Sequence, residues 1–191
     1  MKTLLYSITV FFLMVGAAFA QTPGEEKLRQ ALEETMSIAA NATSSAALIE
    51  KVRPLVEKNM AFNVMTRRAI GPGWRSFTPE QQTQAIKLFT ELSIRRYVGR
   101  FTIGEKPSVV YRTARMLGHG SMEVPTQFVY KGNRYEVVYR LDQGEGWRIA
   151  DVVVEGVSFI ANYRSQLDAQ YQKGGVEGVL QSLKNAVENP R

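Results

Sequence analysis

The sequence has no cysteine and a single histidine among its 191 residues. The first absence removes disulfide frameworks, thiolate metal sites and cysteine nucleophiles. The second leaves histidine chemistry to His119 alone, which sits between Gly118 and Gly120. That setting reads as a hairpin turn, the place of a solvated residue rather than of a general base or metal ligand. A second long apolar run, a low-complexity tract and an internal repeat are also missing. Gly71-x-Gly73 runs into Trp74-Arg75 without the strand–glycine–helix context of a phosphate-cradling loop. Ser158, in Gly156-Val157-Ser158-Phe159-Ile160, lacks the second glycine of a nucleophile elbow and reads as the cap of the helix it precedes. Asp151 and Glu155 lie about 13 Å apart on an extended strand, too far for a coupled carboxylate pair. No catalytic set, metal site or cofactor motif emerges, and the chain is read as a non-enzyme.

What is present begins with an export signal over residues 1–20. Lys2 is its basic start, Leu4 to Val15 its apolar run, and Ala18-Phe19-Ala20 a small-x-small cleavage pattern, so processing is expected before Gln21. The run is too short for a comfortable membrane span, which takes about 20 apolar residues. Residues 21–191 are expected to form one exported domain, periplasmic in a bacterial cell, held together by packing alone.

Lysine and arginine outnumber aspartate and glutamate 24 to 18, a net charge of +6. That balance favours anionic partners such as phospholipid headgroups or acidic proteins. Nucleic acid fits poorly, because the arginines are dispersed and the compartment is wrong. Arg67, Arg68, Arg75, Arg95, Arg96 and Arg100 lie in or beside the helices flanking the glycine break. They are either a solvated face or a basic rim able to bond phosphates bidentately.

Apolar periodicity places a helix over Glu25–Ala40, and a second from a Ser44 or Ser45 cap towards Met60 with Pro54 inside it. A third spans Phe62–Ile70 and stops at Gly71-Pro72-Gly73. Thr78-Pro79-Glu80-Gln81 is a capping box with proline at the first helical position. The helix it opens is expected to reach Phe101. Its apolar stripe drifts from Ala85, Leu88, Phe89 and Leu92 to Ile94, Tyr97, Val98 and Phe101, so its two ends should pack on different surfaces. Pro107–Glu155 then reads as a meander of about four strands. Their positions are Val109–Met116, Met122–Tyr130, Tyr135–Leu141 and Trp147–Val154, with Pro125 indicating an edge or a bulge. Asp151 is expected on one face with Trp147, Ile149 and Val153. Two helical stripes follow, Phe159–Tyr171 and Val176–Val187, separated by Gly174-Gly175. The fold class is α+β: a single curved, mainly antiparallel sheet covered on one side by five to six helices around an apolar cavity.

Trp147-Arg148-Ile149-Ala150-Asp151-Val152-Val153-Val154-Glu155-Gly156-Val157-Ser158, followed by Asn162-Tyr163-Arg164-Ser165-Gln166, resembles the signature of the MlaC family. These are toluene-tolerance periplasmic lipid carriers, with hopanoid-associated relatives. Met65 to Gly71, Trp74-Arg75 and Thr78 to Gln82 resemble a second block of that family, and the likeness extends over roughly residues 45–185. Two departures stand out: Ala61, where many members carry an acid, and Pro72-Gly73, where many carry bulkier residues. The resemblance implies an acyl-chain cavity with phospholipid or a similar amphiphile as ligand. It also implies shuttling between an inner-membrane ABC-type lipid transporter complex and an outer-membrane lipoprotein complex.

The residues expected to face the tails are Phe62, Met65, Phe89, Leu92, Tyr97, Phe101, Val137, Tyr139, Val153, Phe159 and Tyr163. Two other readings stay open: a small-ligand binder or acid/base enzyme on a cone-shaped α+β fold using Asp151 with Tyr139, and an adaptor that regulates a transporter without carrying lipid.

Overall fold

The computed structural model describes residues 22–98, 103–104 and 107–189, without the side chain of Tyr97. The export signal, Arg100 and Phe101 lie outside the described residues. Helix ends fall where local chemistry puts them. α1 (Pro23–Ala40) is capped by the Thr22 hydroxyl, which accepts from Glu25 N–H at 3.3 Å, and α2 (Ser45–Asn59) by Ser44, which accepts from Ala47 N–H at 3.1 Å. α3 covers Phe62–Ile70 and runs into a 3-10 turn, Gly71–Ser76. α4 (Pro79–Val98) opens with the reciprocal box: Thr78 N–H donates to Gln81 Oε1 at 3.0 Å, and Gln81 N–H to Thr78 Oγ1 at 3.3 Å. α5 runs Phe159–Glu188 with non-helical backbone at Gly174 and Gly175, so the two expected tail helices are its two arms.

Among the described residues the sheet has six strands: β1 (Ser108–Tyr111), β2 (Arg115–Gly118), β3 (Ser121–Tyr130), β4 (Asn133–Asp142), β5 (Arg148–Val154) and β6 (Val157–Ser158). All pair antiparallel in the order β1-β3-β4-β5-β6, with β2 beside the start of β3. The strand expected over Val109–Met116 is therefore two. Its interruption, Arg112–Ala114, lies opposite Pro125, whose carbonyl accepts from Arg112 N–H at 2.9 Å. A proline has no N–H to give a neighbouring strand. β3 tolerates Pro125 in the middle of the sheet because the partner strand breaks there.

Register sets which side chains share a face. Met122, Leu141 and Ile149 are aligned, as are Val124, Tyr139 and Val152, and Thr126 and Val137. This face carries α1, whose Leu28, Leu32 and Met36 are buried against it. A bulge between Arg140 and Leu141 on the β4–β5 pair makes room for one extra residue, Ala150. Asp151 thus aligns with Arg140 and Val153 with Val138, on the face opposite Ile149. The expectation that Ile149, Asp151 and Val153 point the same way fails here, because the extra residue breaks the alternation it relied on. Coverage is also two-sided, since the first turn of α5 docks on the opposite face beside Asp151.

Among the described residues the buried apolar side chains form three clusters. One joins α3, the N-terminal half of α4 and both arms of α5. The second is α1 against the sheet, and the third packs the ends of α1 and α4 onto α2 through Ala39, Leu48, Val52, Ile94 and Val98. α4 therefore does bury different sides at its two ends, with Phe89 and Leu92 in the first cluster and Ile94 and Val98 in the third. Met60 touches the first and second clusters, and Val56 the first and third.

The α2–α4 contact is tied by Arg53, which donates to Glu91 Oε2 at 2.8 Å. That hydrogen bond holds the Glu91 carboxyl below its usual pKa and the Arg53 guanidinium above its own. A depressed carboxylate stabilises the fold above the ordinary carboxylate range and loses that contribution as pH falls through the folded value. Glu91→Gln is expected to cost about 0.5–1 kcal/mol at pH 7. The difference should shrink in denaturation curves taken progressively into acid, as pH falls through the depressed folded value of Glu91.

Candidate functional site

Of the residues expected to face a ligand, six meet in the first cluster: Phe62, Met65, Phe89, Leu92, Phe159 and Tyr163. The rings of Phe89, Phe159 and Tyr163 form a closed set, with centroids 5.7 Å apart for Phe89–Phe159, 5.2 Å for Phe89–Tyr163 and 4.9 Å for Phe159–Tyr163. Tyr163 turns its hydroxyl outward to accept from Arg96 Nη1 at 3.1 Å, which satisfies the phenol at the edge of an otherwise apolar group. Val137 and Tyr139 belong to the second cluster, against α1. Val153 is buried on the opposite face of the sheet from them. The expected lining set is thus divided by the sheet, and Tyr97 and Phe101 fall outside what is described.

The second cluster holds two phenols. Burial raises the pKa of Tyr139 and of Tyr111, so both remain neutral. Tyr111 packs its ring under the guanidinium of Arg29 at 3.7 Å, while its hydroxyl is buried without a partner among the described residues. Tyr139 cannot work with Asp151 as an acid/base pair, because adjacent register positions put the two on opposite faces.

Asp151 itself is fully engaged. One carboxylate oxygen accepts from Val152 N–H at 2.9 Å and Ile160 N–H at 3.1 Å. The other accepts from Ser158 Oγ at 2.6 Å and Arg140 Nη1 at 3.2 Å. Ser158 in turn caps α5 by accepting from Ala161 N–H at 3.0 Å. Asp151 also ends a row of alternating charges across four strands that sequence reasoning missed. Arg115, Glu123, Arg140 and Asp151 are successive register partners, bridged at 2.9, 2.9 and 3.2 Å. Each residue alone looks like an ordinary surface charge; only the register aligns them. His119 is exposed at the β2–β3 turn with φ 49°, as its flanking glycines implied.

A pocket of about 560 Å³ opens elsewhere, between the end of α3, the 3-10 turn and α5, lined by Arg67, Arg68, Gly71, Pro72, Trp74, Arg75 and Arg164. Two of its arginines are held. Arg68 pairs with Asp142 at 2.7 Å, and Arg164 donates to the Arg68 carbonyl at 3.2 Å. The glycines of the expected helix stop have a second role here. Gly71, at φ 72°, lies so close to Arg164 that a Cβ would come within 2.9 Å of its guanidinium carbon. A Cβ on Gly73 would meet the Tyr171 ring at 2.9 Å, and that tyrosine bonds Ser76 Oγ at 2.8 Å. Pro72-Gly73 therefore makes a thin loop on which α5 rests. Arg95 and Arg96 do not join this pocket: Arg95 pairs with Glu91, and Arg96 serves Tyr163. Arg164, read before only as part of a sequence signature, takes their place.

A family model described as MlaC protein matches residues 28–185. No curated protein matches the chain. Among solved structures, the chain is similar to a phospholipid-binding protein from Ralstonia solanacearum in complex with a phospholipid. The TM-score is 0.79 at 24% identity, over 87% of this chain and 98% of that one. No described helix is long and apolar enough to cross a membrane.

Proposed function

This chain belongs to the MlaC family, and from that premise we propose that it is an exported, periplasmic phospholipid carrier. In this reading it shelters the acyl tails of a phospholipid or a related amphiphile. It passes that cargo between an inner-membrane ABC-type transporter complex and an outer-membrane lipoprotein complex. The observation that carries the reading is the family match over residues 28–185. The likeness of the whole fold to a phospholipid-binding protein agrees with it.

The packing suits such a task. Each methylene kept from water is worth ~0.8 kcal/mol, so a diacyl lipid crosses an aqueous compartment only inside a protein. Three apolar clusters that touch through Met60 and Val56 can part along their seams, and the first can also open between its rings. The tails then replace the contacts given up. The Phe89, Phe159 and Tyr163 rings must separate for hydrocarbon to run among them, whereas the strand ladders need not change.

The test is to purify the protein from a bacterial periplasm without detergent and identify bound molecules by mass spectrometry. About one phospholipid per chain is expected. Protein that is repeatedly lipid-free, and that also fails to extract lipid from vesicles, overturns the carrier reading.

A further inference from the structure

We propose that the pocket between α3, the 3-10 turn and α5 is a phosphate site, with Arg67 and Arg75 as the ligand-seeking groups and Arg68 and Arg164 as its fixed floor. Every charged side chain lining it is an arginine. The carboxylate of Asp142 answers only Arg68, and its other oxygen is taken by Ser121 Oγ at 2.9 Å. The Arg67 and Arg75 side chains are exposed and make no hydrogen bond or ion pair among the described residues. Such a group of cations around a concave surface focuses positive potential. Guanidinium forks match phosphate oxygens two at a time, which a lysine cluster would not do.

Construction of the floor separates this pocket from a scatter of surface arginines. Arg164 reaches from α5 to the carbonyl of Arg68, 96 residues away in the chain, and is seated over a glycine whose missing side chain leaves room for it. Trp74, lining the same pocket, stacks on Phe77 with centroids 5.6 Å apart, which fixes the wall. One cation is thus held by a carboxylate and one by a backbone carbonyl, and two are unclaimed. The ligand chemistry is a phosphate ester anion, supplied either by the headgroup of a bound phospholipid or by a free phosphate ester. The first source rests on the carrier reading above; the second does not.

The test titrates the full processed chain with inorganic phosphate and with glycerol 3-phosphate. It follows the arginine Nε–H and Trp74 indole N–H signals by NMR, beside Arg67→Gln/Arg75→Gln and a control, Arg112→Gln. Shifts confined to the pocket are expected, with a dissociation constant raised at least tenfold in the double variant and unchanged in the control. The ³¹P signal of lipid carried by each protein identifies the source. A changed headgroup signal in the double variant assigns the pocket to the headgroup; an unchanged one, with free phosphate binding lost, assigns it to a free ester. Phosphate binding by a chain that never carries lipid would retain this site and overturn the carrier reading alone. Shifts spread over the whole basic surface, or binding undiminished in the double variant, overturn the site.

Discussion

Asp151→Ala is expected to destabilise the protein by about 3–5 kcal/mol while the lipid held per folded molecule stays at the wild-type level. Asp151 is 5% exposed and its carboxylate receives four hydrogen bonds, two of them from backbone N–H groups. Removing it leaves the Ile160 and Val152 donors and the Ser158 hydroxyl short of a buried partner, each a loss of about 1–3 kcal/mol before relaxation. Arg140 suffers less, because it keeps Glu123 at 2.9 Å and is partly solvated. Asp151→Asn retains one acceptor oxygen, so its loss should be roughly half as large. In thermal melts the alanine variant should fall by on the order of 10 °C for a domain of this size. A variant that melts like wild type but loses a measurable chemical turnover would restore the enzyme reading.

Phe89→Ala should show a loss that depends on cargo. The ring is fully buried and meets Phe159 and Tyr163 edge-on. Truncating such a residue removes its transfer energy and leaves a hole, about 3–5 kcal/mol in a core that cannot relax. In delipidated protein that full amount is expected. If the acyl tails run among these rings, hydrocarbon fills part of the hole in loaded protein, and the loss there should be markedly smaller. Denaturant unfolding of both forms of both proteins decides the matter. Equal losses in the two forms would place the tails away from this cluster.

Features governed by near neighbours in the chain were legible before the structure. The Thr78–Gln81 box, the Ser44 and Ser158 caps and the bounds of α3 each depend on a few consecutive residues, and each was placed correctly. So was the two-sided character of α4, which is written in its own stripe. What escaped depends on other strands. Pro125 marked an irregularity, but the cost fell on its neighbour, dividing one expected strand into β1 and β2. The extra residue at Ala150 has no compositional mark, yet it reverses the face of Asp151 and Val153 and so breaks up the expected lining set. The charge row from Arg115 to Asp151 needs three registers at once. The arginine pocket needs α5 to return to α3, which no local pattern encodes.

The antiparallel order of the strands bears on how the chain reaches and leaves this structure. β3, β4 and β5 are consecutive hairpins joined by short turns, so their pairing closes small loops. The contacts of α3 and the 3-10 turn with α5, by contrast, join residues about 95 positions apart, as Arg68 to Arg164 and Ser76 to Tyr171 do. Closing long loops costs more chain entropy and slows assembly. The meander is therefore expected to form early and the helical cluster to close over it last. The reverse order holds for excursions from the native state, which begin in the parts with the lowest local opening energy. Amide protons of α3 and α5 should exchange with solvent before those of β3 and β4. On the carrier reading proposed above, the elements that part for a lipid are the ones the folding order leaves easiest to release, and loading a tail asks for a short retreat along the folding route rather than a new conformation.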